Sequence, residues 1–313
     1  MMRDRVAVLG GSGFVGRHLV NRLVAAGRKV VVPTRRRERA KHLILLPTVD
    51  VVEADIHDRA VLERLLVDAD TVINLVGELH DVPRGTLARA HVEVVEATIA
   101  ACKATGVRRL LHMSALHADP KGPSRYLVTK GEGEARVRAS GLEWTIFRPS
   151  VIFGREDRFL NTFARLQRLF PVIALGCAGA RFQPVYVGDV ARCFAQSIPD
   201  DSTIGQSFDV CGPKVYTLRE LVAYAGELAG HTRPIVELGE SMATLQARVL
   251  ECLPGPLMSR DNLLSMQRDS VCDGDFATRF GFTPAALEAV APEYIAAAAS
   301  HSRFDDLRAR SGR

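Results

Sequence analysis

Tryptophan occurs once in the 313 residues, and aromatics make up 6% of the chain. So few rings leave little for bases to stack on, and the basic residues are not spread along a face. The composition therefore excludes a nucleic-acid partner. No run of 18 or more apolar residues occurs, so no membrane-spanning helix is expected. The start, Met1 to Arg5, leads into only a short apolar run, Val6 to Leu9, and no secretory signal is expected. Six cysteines (102, 177, 193, 211, 252 and 272) form no CxxC pair and no His/Cys cluster at metal spacing. They read as reduced thiols of a cytoplasmic protein that binds no metal.

What is present is ordinary in amount and uneven in placement. The chain is 47% hydrophobic and 25% charged, with 25 Gly and 15 Pro, which fits a globular protein and not a disordered, collagenous or coiled-coil one. Its length allows two ordinary domains, or one large α/β domain with a smaller lobe. Of the formal charge of +5, Arg35 to Lys41 (RRRERAK) carries +4, with five bases and one acid. That cluster calls for a local explanation.

The first half alternates β-branched runs with amphipathic stretches, the rhythm of a parallel sheet with crossover helices. Strands are expected at 5–9, 29–32, 49–53, 71–75, 108–114 and 144–147. Helices are expected at 14–26, 60–67, 86–105 and 124–140. After Arg148-Pro149 the rhythm changes: helices near 159–169 and 189–197 flank a Gly/Ala-rich loop, and 207–211 returns as a seventh strand. From Thr217 the chain reads as mostly helical. The pattern predicts a doubly wound Rossmann sheet from 1–150 plus about 183–211. A small, mostly helical substrate lobe takes about 151–182 plus 212–300, and the tail 301–313 reads as frayed.

Val6 to Gly16 (VAVLGGSGFVG) places Gly10, Gly13 and Gly16 as GxxGxxG between the first strand and the first helix. The first glycine makes the tight turn, the second lets backbone approach a diphosphate, and the third lets helix and strand pack closely. The diphosphate would sit on the free N–H groups at the helix start, Phe14 and Val15. An NAD site places an acid at the end of strand two. Here Arg35, Arg36 and Arg37 stand there, and a guanidinium suits a 2′-phosphate, which favours NADP(H) over NAD(H). Asp55 and Ile56, just past strand three, neighbour the adenine.

Tyr126 and Lys130 form YxxxK, one helical turn apart and so on one face. With 5 Tyr and 6 Lys in the chain, chance yields only about 0.1 such pairs. A neighbouring ammonium is expected to lower the phenol's pKa, so that Tyr126 passes a proton near neutrality. Ser114, at the end of strand five, would hold a substrate carbonyl oxygen. A surface tyrosine with a solvated lysine is the plain alternative.

Together GGSGFVG, Ser114, YLVTK and Phe147 to Gly154 (FRPSVIFG) resemble the extended or atypical short-chain dehydrogenase/reductases, the epimerase/dehydratase-like branch. Asn74 to Gly77, Gln183 to Val190 and Gly212 to Thr217 are similar to bacterial relatives of the NADPH-binding accessory subunit of respiratory complex I. The resemblance runs from about residue 4 to about 290. It implies that Gly10, Gly13 and Gly16 bind the diphosphate and Arg35 the 2′-phosphate. It further implies that Asn74, Val76 and Gly77 line the cofactor cleft, that Pro149, Val151 and Ile152 lie by the nicotinamide, and that Tyr126 and Lys130 carry the chemistry.

Two functions follow. One is an NADP(H)-dependent oxidoreductase or epimerase/dehydratase acting on a carbonyl or hydroxyl of a small, hydrophobic molecule. The other is a non-catalytic nucleotide-holding accessory or assembly protein of a membrane respiratory complex, peripheral at the membrane's inner face. Ser114, Tyr126 and Lys130 favour the first. Asp189 is expected as a helix N-cap; His112 and His117 flank the end of strand five, and His117 is expected as a polar loop histidine, with entry into the cleft as the alternative. The apolar series from Phe159 to Ile173 reads as lobe core, with membrane or substrate contact as the alternative, and 242–253 as a packed or docking helix. The sequence does not fix the oligomeric state.

Overall fold

The computed structural model describes residues 4–81, 83–251, 258–274 and 276–296. The chain divides into two compact units. The first comprises Met1–Pro149, Val187–Val210 and Gly274–Phe282, and the second Ser150–Tyr186, Cys211–Asp273 and Thr283–Arg313.

In the first unit, valine-rich runs build a seven-stranded sheet from β1 (Arg5–Leu9), β2 (Lys29–Thr34), β3 (Val49–Glu53), β4 (Thr71–Asn74), β5 (Arg109–Met113), β6 (Glu143–Pro149) and β7 (Gln206–Val210). All pairs are parallel, in the order β3-β2-β1-β4-β5-β6-β7. The order reverses between β1 and β4, and the crevice at the carboxyl ends of those strands is where open α/β sheets hold ligands.

Helix α1 (Phe14–Ala25) follows the glycine turn, and α2 (Arg59–Leu66) starts at Asp58, whose side chain accepts the Ala60 and Val61 N–H groups. Next come α3 (Val94–Thr105), α4 (Arg125–Arg138) and α5 (Val187–Ser197). On one face Leu62 and Leu66, Val95 and Ala101, and Val137 from α2, α3 and α4 cover Leu9, Val72, Leu110 and Ile146. On the other, Phe147 of β6 meets Phe194 of α5 at 4.4 Å between ring centroids. Adjacent residues Ile146 and Phe147 thus fill opposite faces, as the strand period of two requires. Buried Glu134 of α4 takes two hydrogen bonds from Arg148 of β6, at 2.7 and 2.6 Å. Fully buried Arg109 donates to the carbonyl of Ser197 (2.7 Å), tying down the last turn of α5.

The expected doubly wound parallel sheet is present, with two local differences. The run expected as one helix at 86–105 is interrupted by a π-turn, Arg89–Glu93, between Thr86–Ala88 and α3. Helix α5 begins at Val187, so Asp189 lies in its first turn and is not the N-cap expected from its place in the sequence. His112 is a buried residue of β5, inside the strand expected at 108–114.

Among its described residues the second unit holds three two-stranded pairings. Ile152–Phe153 runs parallel to Val185–Tyr186, Arg181–Phe182 antiparallel to Tyr216–Thr217, and Ile173–Gly176 parallel to Ile235–Leu238. The last strand breaks the helical run expected beyond Thr217, because Ile235-Val236 completes an edge that Ile173 to Gly176 leaves open. Helices Leu160–Leu169 and Leu218–Leu228 pack through Leu160, Ala164, Leu221, Val222 and Ala225. The second is held by a capping box between Thr217 and Glu220. Of the apolar series, Phe159, Leu160, Phe163, Leu166 and Ile173 join this core, while Leu169, Phe170 and Val172 are exposed. The helix expected at 242–253 is Glu240–Glu251; residues 252, 253 and the tail 301–313 lie outside the described residues.

Cys211 and Cys272 form a disulfide, which corrects the expectation of six reduced thiols. Sequence spacing gave no warning, because residues 61 apart meet only through the fold: Gln183 accepts the Cys272 N–H and donates to the Gly212 carbonyl, bringing the two segments side by side.

Candidate active site

The turn after β1 is shaped by close backbone approach. Gly10 has φ +78°, and a Cβ there would lie 3.1–3.2 Å from the Leu75 and Val76 backbone. A Cβ at Gly16 would stand 2.4 Å from the Gly10 carbonyl oxygen, so α1 can start against the turn only with glycine there. Gly13 is the exposed N-cap of α1, without a side-chain cap, and no acid occupies the first turn. Helix-start N–H groups with no side chain over them make a cradle suited to a diphosphate. Phe14 and buried Val15 open the helix. Arg35 is exposed immediately beyond β2, and Asp55 follows β3, its side chain accepting the His57 N–H. Ile56 packs into the core under α2.

Beyond β4, buried Asn74 accepts the Val76 N–H (3.0 Å), which orients its amide so that Nδ2 donates to Nδ1 of His112 (3.4 Å). The His112 proton therefore sits on Nε2, which is buried without a hydrogen-bond partner among the described residues. Burial, with the Lys130 charge second, pushes His112 down to about 3.

The π-turn brings in a residue that the motifs did not flag. His91 Nε2 accepts the Glu78 N–H (3.1 Å), so its proton is on Nδ1, which donates to Thr129 Oγ1 of α4 (2.8 Å). The His91 ring meets Tyr126 edge to face at 5.6 Å. Burial first, then Lys130 and His112, push its pKa down to about 2, and it is neutral throughout the physiological range. A Cβ at Gly133 would stand 2.4 Å from the His91 carbonyl oxygen, so that glycine is what lets α4 approach the π-turn. One signal was available in the sequence. His91 shares the buried stripe 91, 94, 95 and 98, where a histidine among valines is out of place unless its ring nitrogens are bonded.

Helix α4 starts at Ser124, whose Oγ accepts the Leu127 N–H, and presents Tyr126 and Lys130 on successive turns. Lys130 is buried and its Nζ donates to the Met113 carbonyl (3.2 Å), 3.1 Å from where a Gly77 Cβ would stand. Burial lowers it to about 8, against the opposing pull of Glu134. Tyr126 differs from expectation: burial pushes the phenol up to about 12 instead of an ammonium drawing it down. Ser114 gives its N–H to the Phe147 carbonyl (2.8 Å), and its Oγ is buried without a partner among the described residues.

The structure thus gathers Gly10 with Leu75 and Val76, and Gly77 with Lys130 and His91, at the carboxyl ends of β1, β4 and β5. Pro149 closes β6, its carbonyl accepting the Leu116 N–H. Val151 and Ile152 belong to the second unit, where the Val151 carbonyl accepts the Val185 N–H and Ile152 pairs with Val185.

Residues 10–160 match the NAD(P)H-binding family. Over 304 residues the chain is 30% identical to the mitochondrial NADH-ubiquinone oxidoreductase 40 kDa subunit of Neurospora crassa, covering 95% of this chain and 80% of that protein. It is 36% identical over 223 residues to the mitochondrial NADH dehydrogenase (ubiquinone) 1 alpha subcomplex subunit 9 of Mus musculus. That match covers 69% of this chain and 59% of the relative, less than two thirds of its length. Among solved structures, an NADPH-dependent quinone oxidoreductase from Escherichia coli, complexed with NADPH, superposes with a TM-score of 0.75. The identity is 18%, and the match covers 95% of this chain and 99% of that one, so the likeness is one of fold.

Proposed function

The chain belongs to the family of the NADH-ubiquinone oxidoreductase 40 kDa subunit and carries an NAD(P)-binding Rossmann unit, and from that premise we propose that it holds NADPH as an accessory subunit of a membrane respiratory complex. Gly10, Gly13 and Gly16, with the N–H groups of Phe14 and Val15, would take the diphosphate, and Arg35 the 2′-phosphate. Asp55 and Ile56 would flank the adenine. Asn74, Val76 and Gly77 would line the cleft, with Tyr126 and Lys130 against the nicotinamide ribose and Pro149, Val151 and Ile152 by the nicotinamide. Bound there, the nucleotide supplies a hydride donor. The observation that carries the accessory reading is the relatives themselves: the proteins matched at 30% and 36% identity are named as subunits of the mitochondrial NADH-ubiquinone oxidoreductase and NADH dehydrogenase.

The second reading is an NADP(H)-dependent oxidoreductase or epimerase/dehydratase, and the buried Oγ of Ser114, without a partner among the described residues, favours it. Ser114 would hold a carbonyl oxygen and Tyr126 would give that oxygen its proton, with Lys130 beside it. One experiment separates the two. The nucleotide released from purified protein is identified by mass spectrometry, and the protein is then given NADPH with panels of carbonyls and quinones. The accessory reading expects NADPH to be released and not consumed. Turnover that Tyr126→Phe abolishes would establish the second reading instead.

A further inference from the structure

His91 belongs to none of the sequence motifs, yet it is 1% exposed and both of its ring nitrogens are bonded. The ring bridges two elements on one face of the sheet. Nε2 accepts the Glu78 N–H (3.1 Å) in the connection after β4, and Nδ1 donates to Thr129 Oγ1 (2.8 Å) on α4. The Thr129 hydroxyl gives its own proton to the Arg125 carbonyl (2.9 Å), so toward His91 it accepts. Glu78 and Thr129 are the chain neighbours of Gly77 and Lys130. A Cβ at Gly77 would stand 3.1 Å from Lys130 Nζ and 3.7 Å from His91 Nε2, so the three residues meet around one small space.

Two features set this contact apart from that of an ordinary core histidine. It sits in the π-turn Arg89–Glu93, an irregularity that helices carry mostly where a side chain must be re-aimed for function. It is also the rigid member of two ties between the same elements. The other is the Asp81–Arg125 ion pair (3.1 Å), but Arg125 is half exposed, and pairs of that kind hold geometry weakly. The His91 ring is fixed at both nitrogens and lies edge to face with Tyr126 at 5.6 Å, in a buried network where each bond constrains the next.

We propose that His91 is a positioning residue for the nicotinamide half of the bound nucleotide: as a strut between the Glu78 amide and Thr129, it sets the gap between Gly77 and Lys130 against which the nicotinamide ribose fits. This rests on the reading that the crevice holds NADPH, and it concerns one half of that nucleotide only. Arg35, Asp55 and Ile56, which would take the adenine half, follow β2 and β3, on the other side of β1 in the sheet order. Loosening the strut should therefore be felt at one end of the ligand and not at the other.

The probes are NADPH and adenosine 2′,5′-bisphosphate, which keeps the adenosine and its 2′-phosphate and lacks the nicotinamide riboside. Each is titrated calorimetrically into the nucleotide-stripped full chain. His91→Phe keeps a ring beside Tyr126 and removes both nitrogens; it should weaken NADPH about tenfold and shift the bisphosphate by less than about twofold. Thr129→Val, nearly the same shape, removes the hydroxyl at the other end and should weaken NADPH about threefold, again sparing the bisphosphate. Because the two residues form one strut, the double variant should bind NADPH no more weakly than His91→Phe alone. Equal weakening of both ligands would mean a general loosening of the unit and would overturn the proposal. So would unaltered NADPH binding in the variants, or single effects that multiply in the double variant. If His91→Phe does not fold, Thr129→Val decides by the same comparison. A parent chain that binds neither ligand defeats the nucleotide reading and this proposal with it, whereas a parent chain that binds both and is matched by its variants defeats the proposal alone.

Discussion

His91 and His112 are held neutral inside the first unit, and that sets how its stability answers to pH. Each has its folded pKa below the ordinary 6.5, at about 2 and about 3. An unfolded chain takes up both protons as pH falls through 6.5, whereas the native state resists them. Stability is therefore full above 6.5 and lost below it. Between pH 6 and pH 5 the pair should cost about 2 kcal/mol, read from urea unfolding, and His91→Gln should roughly halve that loss. An unchanged loss in the variant would mean that other groups carry the acid sensitivity. At the turn, Gly16→Ala pushes a methyl to 2.4 Å from the Gly10 carbonyl oxygen. We expect it to destabilise by about 2 kcal/mol and to weaken NADPH binding more than tenfold, roughly, by moving α1 off its cradle. Arg35→Ala should shrink any preference for NADPH over NADH by about tenfold in paired calorimetric titrations while leaving NADH affinity unchanged. An equal fall for both nucleotides would remove the 2′-phosphate from Arg35.

At the scale of elements, what the sequence announces is whatever is encoded locally. The glycine turn, the strand-helix alternation and the helix bearing Tyr126 and Lys130 each rest on neighbours within a few residues, and each is found where its pattern places it. What escapes is set by partners far along the chain. The π-turn packs against Gly133, more than 40 residues on, and the phenol's upward shift comes from burial that YxxxK spacing does not encode. The strand Ile235–Leu238 exists because Ile173–Gly176 offers it an edge. The disulfide is another such case. Closing a loop between cysteines 61 residues apart, it should stabilise the second unit by about 2–4 kcal/mol, so reduction should lower that unit's unfolding midpoint and leave the first unit's unchanged. A midpoint insensitive to reductant would show that Gln183 alone suffices to hold the two segments together.

For the whole molecule, the family match extends well past the nucleotide-binding unit, to 95% of the chain over 304 residues. No helix among the described residues is long and apolar enough to cross a membrane. The second unit also turns apolar side chains outward, with Leu169, Phe170, Met242, Leu245 and Val249 each more than half exposed. Such surfaces matter to the account only if the first unit does what its crevice is shaped for. The direct measurement is calorimetric titration of the purified, nucleotide-stripped chain with NADPH and with NADH. The account predicts saturable one-to-one binding of NADPH, tighter than that of NADH and weakened in Gly16→Ala. Absence of heat with both nucleotides, from protein that remains folded, would contradict it.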